Sequence, residues 1–331
     1  MPPSPETAAE RAAELVDRLP LTATPKKRML VIVNPYATTV SRRLKNLVVY
    51  ALQSRYRVHA VDTEKRNHAT QLCREAAEEG YDVVVAFGGD GTVNEAANGL
   101  AGSRTPLTCL PGGSANVWCR MIGIPRDVVD ATEHLLRMAD DFQPFPVDLG
   151  RAGERYFTFS SGVGLDARVV ERVDEHPYRK AKFGAWYYTY AAVSTFTRRY
   201  LVSPPRVRVE AEGRELEGVT VIVQNSDPFT YFRGRPIRIA EGAGLDSGTL
   251  SLAVLRNARV AQLATLIPRI FSARASTVLR HRQIEGLSGL NGARVSCVDD
   301  RPFPLHVDGD YIGEYETVEY GVTPGGLLAV A

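Results

Sequence analysis

The sequence lacks any uninterrupted apolar run long enough to span a bilayer, and its first residues carry no apolar leader segment. No transmembrane segment is expected, and the protein is expected in the cytoplasm; if it acted on a lipid it would associate with membranes only transiently, from outside. Cysteine is scarce too. Cys73, Cys109, Cys119 and Cys297 show neither C-x-x-C spacing nor the density of a disulfide scaffold, so free thiols in a reducing compartment are expected. Neither sign of charge is in excess: 40 Lys and Arg against 38 Asp and Glu leave +2, which by itself says little about partners; no nucleic-acid partner is expected. A content of 44% hydrophobic and 24% charged residues excludes collagen-like, coiled-coil and wholly disordered chains. One absence is local. No acid lies between Asp246 and Glu285, where Arg256, Arg259, Arg269, Arg274, Arg280 and Arg282 all fall.

With 331 residues, two domains are the natural expectation. Residues 1–28, rich in Pro, Ala, Glu and Thr, read as a loosely held extension with one short helix over 8–19. Residues 29–146 alternate continuous apolar runs with helical patterns: strands over 29–33, 56–61, 81–87 and 106–110, helices over 41–54, 68–79 and 93–98. That alternation predicts a doubly wound α/β domain with a parallel sheet. From 147 to 331 short strands follow closely, over 156–160, 206–210, 219–224, 249–255, 293–297, 305–307 and 327–331, the rhythm of a β-sandwich. Helices are expected over 179–199 and 261–280, and a cleft between the two domains.

Phe87-Gly88-Gly89-Asp90-Gly91-Thr92 follows a buried strand and precedes a helix, so its N–H groups can receive polyphosphate at the helix's positive end. The glycines let phosphate approach the backbone, and Asp90 offers a carboxylate for Mg²⁺. The same residues admit a plainer reading: Thr92-x-x-Glu95 is a capping box, and Gly-Gly-Asp-Gly is ordinary turn chemistry. The run is neither a P-loop, having no following Lys, nor a dinucleotide fingerprint.

Gly88-Gly-Asp-Gly-Thr-Val-Asn-Glu95 resembles the signature of the diacylglycerol kinase catalytic domain, shared with sphingosine and ceramide kinases and bacterial lipid kinases. The resemblance extends in order through Val33-Asn34-Pro35, Thr63-Glu-Lys, Leu110-Pro-Gly-Gly-Ser114-Ala-Asn116, Ile124-Pro125, Val147-Asp-Leu-Gly150, Gly162-Val-Gly-Leu-Asp-Ala167, Leu245-Asp-Ser-Gly248 and Val307-Asp-Gly-Asp310. It implies an N-terminal domain like those of phosphofructokinase and NAD kinase, a C-terminal β-sandwich, and ATP with Mg²⁺ phosphorylating a lipid hydroxyl, with diacylglycerol the foremost acceptor. The implied partner is a lipid substrate at the membrane surface; a homodimer is compatible with the sequence.

Carried over residue by residue, the resemblance implies nucleotide contacts at Asn34, Thr63, Gly88, Gly89, Asp90, Gly91, Thr92, Asn94, Glu95 and Ser114. Where the family has x-Ser-Gly after Asn-Pro, this chain has Tyr36-Ala37-Thr38-Thr39, with Thr38 or Thr39 as substitute donors. Val117-Trp118-Cys119 replaces Asp-Phe-Ala, removing one acid. The proton acceptor falls in Asp308-Gly309-Asp310, either carboxylate serving, though Asp-Gly-Asp is also a hairpin signal. Metal binding falls to Asp90 and, where bacterial relatives hold a second Mg²⁺, to Asp246 in Asp246-Ser247-Gly248, unless that metal is absent here.

The acid-poor stretch interleaves its arginines with Leu263, Leu266, Ile267, Ile270, Phe271 and Leu279, which reads either as a surface for anionic headgroups or as a helix packed on the sandwich. Trp186, Tyr187, Tyr188, Tyr190 and Phe196 read as an acyl channel or as core. Two other functions share the nucleotide turn: a kinase of a soluble alcohol such as NAD or a sugar, and a nucleotide- or lipid-binding protein with impaired catalysis.

Overall fold

The computed structural model describes residues 10–11, 13–14, 26–37, 40–174, 205–232, 234–257, 260–272 and 274–331. Thr38, Thr39, Arg259, the helix expected over 179–199 with its aromatic residues, and most of that expected over 8–19 lie outside the described residues.

Apolar runs without a polar break have to be covered on both faces, and they are. β1 (Arg28–Val33) and β3 (Val83–Gly88) are buried almost throughout, and they form a parallel sheet with β2 (Arg57–Asp62) and β4 (Leu107–Pro111) in the order β2-β1-β3-β4. The edge strand β2 alternates exposed and half-buried residues. Helices α1 (Arg42–Gln53), α2 (His68–Glu78), α3 (Asp90–Leu100), α4 (Val117–Met121) and α5 (Val128–Met138) accompany the sheet. Ser41 caps α1 by accepting from Leu44 N, and Asp127 caps α5 by accepting from Val129 N and Asp130 N. This unit comprises Met1–Val147 and also Gly326–Ala331. The last residues of β18 (Thr317–Ala329) reach β4: Ala329 pairs in parallel with Leu107, and Val330 N donates to Leu107 O at 3.0 Å.

The second unit, Asp148–Gly325, is an antiparallel β-sandwich. One layer contains β5 (Phe145–Ala152), β6 (Arg155–Phe157), β8 (Val207–Ala211), β9 (Arg214–Gly218), β15 (Gly292–Cys297) and the first part of β18. The other runs β14-β13-β10-β7-β16-β17, formed by Ile284–Leu290, Leu250–Leu255, Thr220–Gln224, Ser160–Gly164, Phe303–Val307 and Asp310–Tyr315. Strand alternation assigns the faces. Val221 and Val223 point into the sandwich core with Val209, Leu252, Val295 and Leu305, while Ile222 points the other way and packs with Ala253, Leu255, Leu266 and Val278. Leu266 and Val278 belong to α7 (Val260–Ile270) and α8 (Ala275–Leu279), and α6 (Leu165–Asp174) follows β7 directly.

Several expectations need correction, among them the strand over 327–331, which joins the α/β sheet rather than the sandwich. The helix expected over 261–280 is two helices with a turn between them; Pro268, which has no N–H to donate, lies two residues from the end of the first. The strand expected over 156–160 is broken, because Thr158, Phe159 and Ser160 turn their N–H groups onto one carboxylate, that of Asp308. The helix expected over 93–98 starts at Asp90, with Gly89 as its N-cap, so Thr92 and Glu95 form no capping box. Finally, Cys109 and Cys119 are joined as a disulfide, their Cα atoms 5.9 Å apart, because the turn after β4 folds α4 back over the strand's end; Cys73 and Cys297 are free thiols.

Candidate functional site

In the first unit the glycine turn at the end of β3 lies against a second glycine pair at the end of β4. A Cβ on Gly112 would come within 2.9 Å of Gly88 Cα, and one on Gly113 within 2.7 Å of Gly89 Cα. The two turns thus touch backbone to backbone, an approach only glycine permits. Asn116 locks the second turn: its Oδ1 accepts from Gly113 N at 2.9 Å, and its Nδ2 donates to Gly113 O at 2.7 Å. Asn116 itself has φ 46°, a conformation asparagine tolerates. Sequence reasoning gave Gly112 and Gly113 no role; the doubled Gly-Gly after a buried strand was the available signal.

The turn gathers several of the expected nucleotide residues. Asn34, at the end of β1, donates from Nδ2 to Thr92 Oγ1 at 3.3 Å, and its Oδ1 accepts from Tyr36 N at 2.9 Å. Gly88, Gly89, Asp90, Gly91 and Thr92 lie at the N-terminus of α3, where the helix dipole favours an anion, although Thr92 N already donates to Gly89 O at 3.0 Å. Ser114 is exposed on the second turn. Thr63, half-buried, donates its N–H to Val33 O at 2.8 Å beyond β2. Asn94 is fully buried, with its carbonyl accepting from Asn98 Nδ2. Glu95 serves a neighbouring helix, its carboxylate accepting from Asn67 N and Ala69 N at the start of α2. Asp90 does likewise for α4: Oδ1 accepts from Val117 N at 2.6 Å and Trp118 N at 3.3 Å.

In the second unit Asp308 and Gly309 form a two-residue hairpin turn between β16 and β17, with φ 48° and 81° and Val307 opposite Asp310. The hairpin reading of Asp-Gly holds. Asp308 is 3% exposed, and its two oxygens accept from Thr158 N, Thr158 Oγ1, Phe159 N and Ser160 N at 2.7 to 3.1 Å. Asp310 is half-buried at the start of β17. Beside it, burial and then the charges of Glu171 and Glu314 push the Tyr311 phenol up to about 12, so it stays a proton donor at neutral pH.

Two residues behind this turn, His306 Nε2 lies 2.6 Å from Asp166 Oδ2 on α6, and the buried His306 Nδ1 meets no described partner. Gly162 faces both side chains, and a Cβ there would collide with them. The pair was not foreseen, since 140 residues separate its members.

Among the described residues no group of three or more His, Cys, Asp or Glu forms a metal cage. Asp90 alone still suits Mg²⁺, which commonly takes one or two carboxylates together with substrate phosphates. Asp246 is exposed; its turn is held by Ser247 Oγ and by Asp148, whose Oδ2 accepts from Gly248 N at 2.6 Å and Oδ1 from Gly325 N at 2.9 Å.

Comparison with known proteins agrees with this architecture. Residues 28–148 match the diacylglycerol kinase catalytic domain, and residues 160–331 match the YegS C-terminal NAD kinase beta sandwich-like domain. The chain is 26% identical over 295 residues to a diacylglycerol kinase of Bacillus subtilis (strain 168), covering 87% of this chain and 91% of that protein. It is similarly 26% identical over 297 residues to a diacylglycerol kinase of Staphylococcus aureus (strain Newman), covering 87% and 88%. A crystal structure of a diacylglycerol kinase from Bacillus anthracis str. Sterne superimposes with a TM-score of 0.70 at 24% identity, over 93% of this chain and 98% of that one; this is a likeness of fold.

Proposed function

Because the chain belongs to the diacylglycerol kinase catalytic-domain family, we propose that it transfers the γ-phosphoryl group of ATP to the hydroxyl of diacylglycerol, giving phosphatidic acid and ADP. The observation that carries the kinase reading is the double glycine contact at the N-terminus of α3. It brings together two turns bare of side chains that phosphate could approach, with Asn34, Thr92 and Ser114 as polar neighbours. Mg²⁺ arriving with ATP supplies charge neutralisation on the phosphates, and Asp90 is the carboxylate assigned to hold it. The lipid acceptor rests on the names of the relatives.

Transfer requires the acceptor oxygen to form its bond to the γ-phosphorus while the bond to the bridging oxygen of ADP breaks, and a base to take the hydroxyl proton. Of the two carboxylates in the hairpin, Asp308 is buried with both oxygens engaged by four donors, which commits it to holding the turn. Asp310 is the better acceptor, with Asp308 anchoring the turn.

Incubation of the protein with labelled ATP, Mg²⁺ and mixed micelles of diacylglycerol is expected to give labelled phosphatidic acid, and no product from any diacylglycerol defeats the reading. Asp310→Asn is expected to abolish turnover while the protein still folds, as read by circular dichroism. Asp308→Asn is expected to destabilise the protein by about 1–3 kcal/mol, because an amide nitrogen would face donors. A stable but inactive Asp308→Asn beside an active Asp310→Asn would reverse the two roles.

A further inference from the structure

Ile267 and Phe271 are 53% and 46% exposed, two of the four large apolar side chains that the described residues leave in solvent. Four positions apart at the C-terminal end of α7, they share one helical face. The packing of α7 does not need them, since Leu266 and Ile270 make its contacts with the sheet. Phe271 instead meets Phe232 of β11 (Thr230–Phe232) edge-on, ring centroids 5.2 Å apart, so the exposed pair has a fixed support.

The surroundings are cationic. Arg269, Arg274, Arg280 and Arg282 form no ion pair with any described residue, whereas Arg256, outside the patch, pairs with Glu285. Arg274, Arg280 and Arg282 are exposed. Burial, with Arg269 and then Arg282 nearby, lowers the proton affinity of His281, whose Nε2 lies 2.9 Å from Thr265 Oγ1 on α7. Arg269 and Arg282 therefore lie near His281, against the Thr265 side of α7, and Arg274 follows Phe271 by three residues. Isolated exposed apolar residues are common; a supported pair on an arginine-rich segment whose cations pair with no acid among the described residues is not.

We propose that the C-terminal end of α7, with Phe232 behind it, docks the protein on an anionic phospholipid bilayer, Ile267 and Phe271 entering the interface while the arginines engage lipid phosphates. This deepens, and rests on, the lipid-acceptor reading. A second copy of the chain is a poor occupant, because a two-fold contact would set the same arginines against one another. A nucleic acid would satisfy the arginines but leave the apolar pair against phosphates.

Co-sedimentation of the full chain with phosphatidylcholine vesicles, with and without phosphatidylglycerol, tests this surface. Binding is expected only to the anionic vesicles and is expected to weaken at high salt. The pair Ile267→Ser with Phe271→Ser, and the triple Arg269→Gln, Arg274→Gln and Arg282→Gln, are each expected to lose about tenfold or more of the partition coefficient. Both variants should phosphorylate a short-chain diacylglycerol dispersed below its micellar concentration as the parent does, which certifies their fold. Anionic-vesicle binding that survives in both variants overturns the proposal, as does equal binding of the parent to neutral vesicles. A patch variant that turns a dimer into a monomer by light scattering, with vesicle binding intact, overturns it as well. Failure of the parent on the soluble diacylglycerol defeats the kinase reading alone, because vesicle binding is scored without turnover.

Discussion

Gly113 has no room for a methyl group: its Cβ would sit 2.7 Å from Gly89 Cα, and Asn116 grips its N–H and carbonyl from the other side. The Gly113→Ala change must therefore part the two turns. It is expected to destabilise the protein by about 1–3 kcal/mol and to raise the ATP dissociation constant, read by thermal melting and calorimetry. An unchanged affinity would mean that the second turn takes no part in phosphate binding. At this scale the sequence was legible where chemistry is local. The turn at Gly88–Gly91 and the hairpin at Asp308–Gly309 follow from short-range rules. What Asp308 does depends on donors about 150 residues away, and the same distance hid the His306–Asp166 pair. Asp148 was visible only as part of a motif; its grip on Gly248 and Gly325 appears once three distant segments are brought together.

Among the elements, α7 and α8 show how tertiary contacts override periodicity. An apolar pattern over 261–280 reads as one helix, yet the chain breaks after Ile270, and His281 stitches the second piece to the first. His281 Nδ1 accepts from Gln283 N at 3.3 Å, so Nε2 carries the proton donated to Thr265 Oγ1, and the ring is neutral in the fold. Its folded proton affinity is lowered, so the unfolded chain binds more protons once the pH falls below the ordinary imidazole value of about 6.5. Stability is then complete above that pH and declines as the pH drops through the folded value. His134 on α5 acts in the same sense, lowered by burial and by Arg137. Melting temperatures between pH 7 and 5 are therefore expected to fall, and to fall less in His281→Asn, whose carbonyl can still accept from Gln283 N. An equal slope in that variant would assign the acid sensitivity elsewhere.

For the whole molecule, the class of each layer could be read from the sequence, because parallel strands buried on both faces and alternating sandwich strands leave different patterns. The path of the final strand could not. Residues 327–331 read as one more sandwich strand, yet Leu327, Ala329 and Val330 are buried, and Gly326–Ala331 belong to the α/β unit. Burying Leu327 and Val330 contributes about 3–6 kcal/mol as an upper estimate. A fragment of residues 26–147 is thus expected to show no cooperative melt by circular dichroism, and to regain one when residues 323–331 are appended through a Gly-Ser linker. A cooperative melt without the appended strand would show that β4 tolerates an open edge.

That strand also sets a clock. Translation delivers β4 roughly two hundred residues before Ala329, the residue that pairs with Leu107. At cellular elongation rates the ribosome needs roughly 10 to 40 seconds to cover that interval. Throughout it the nascent α/β unit carries an apolar edge with nothing of its own to close it, which makes that edge a natural customer for a chaperone until residue 330 has emerged.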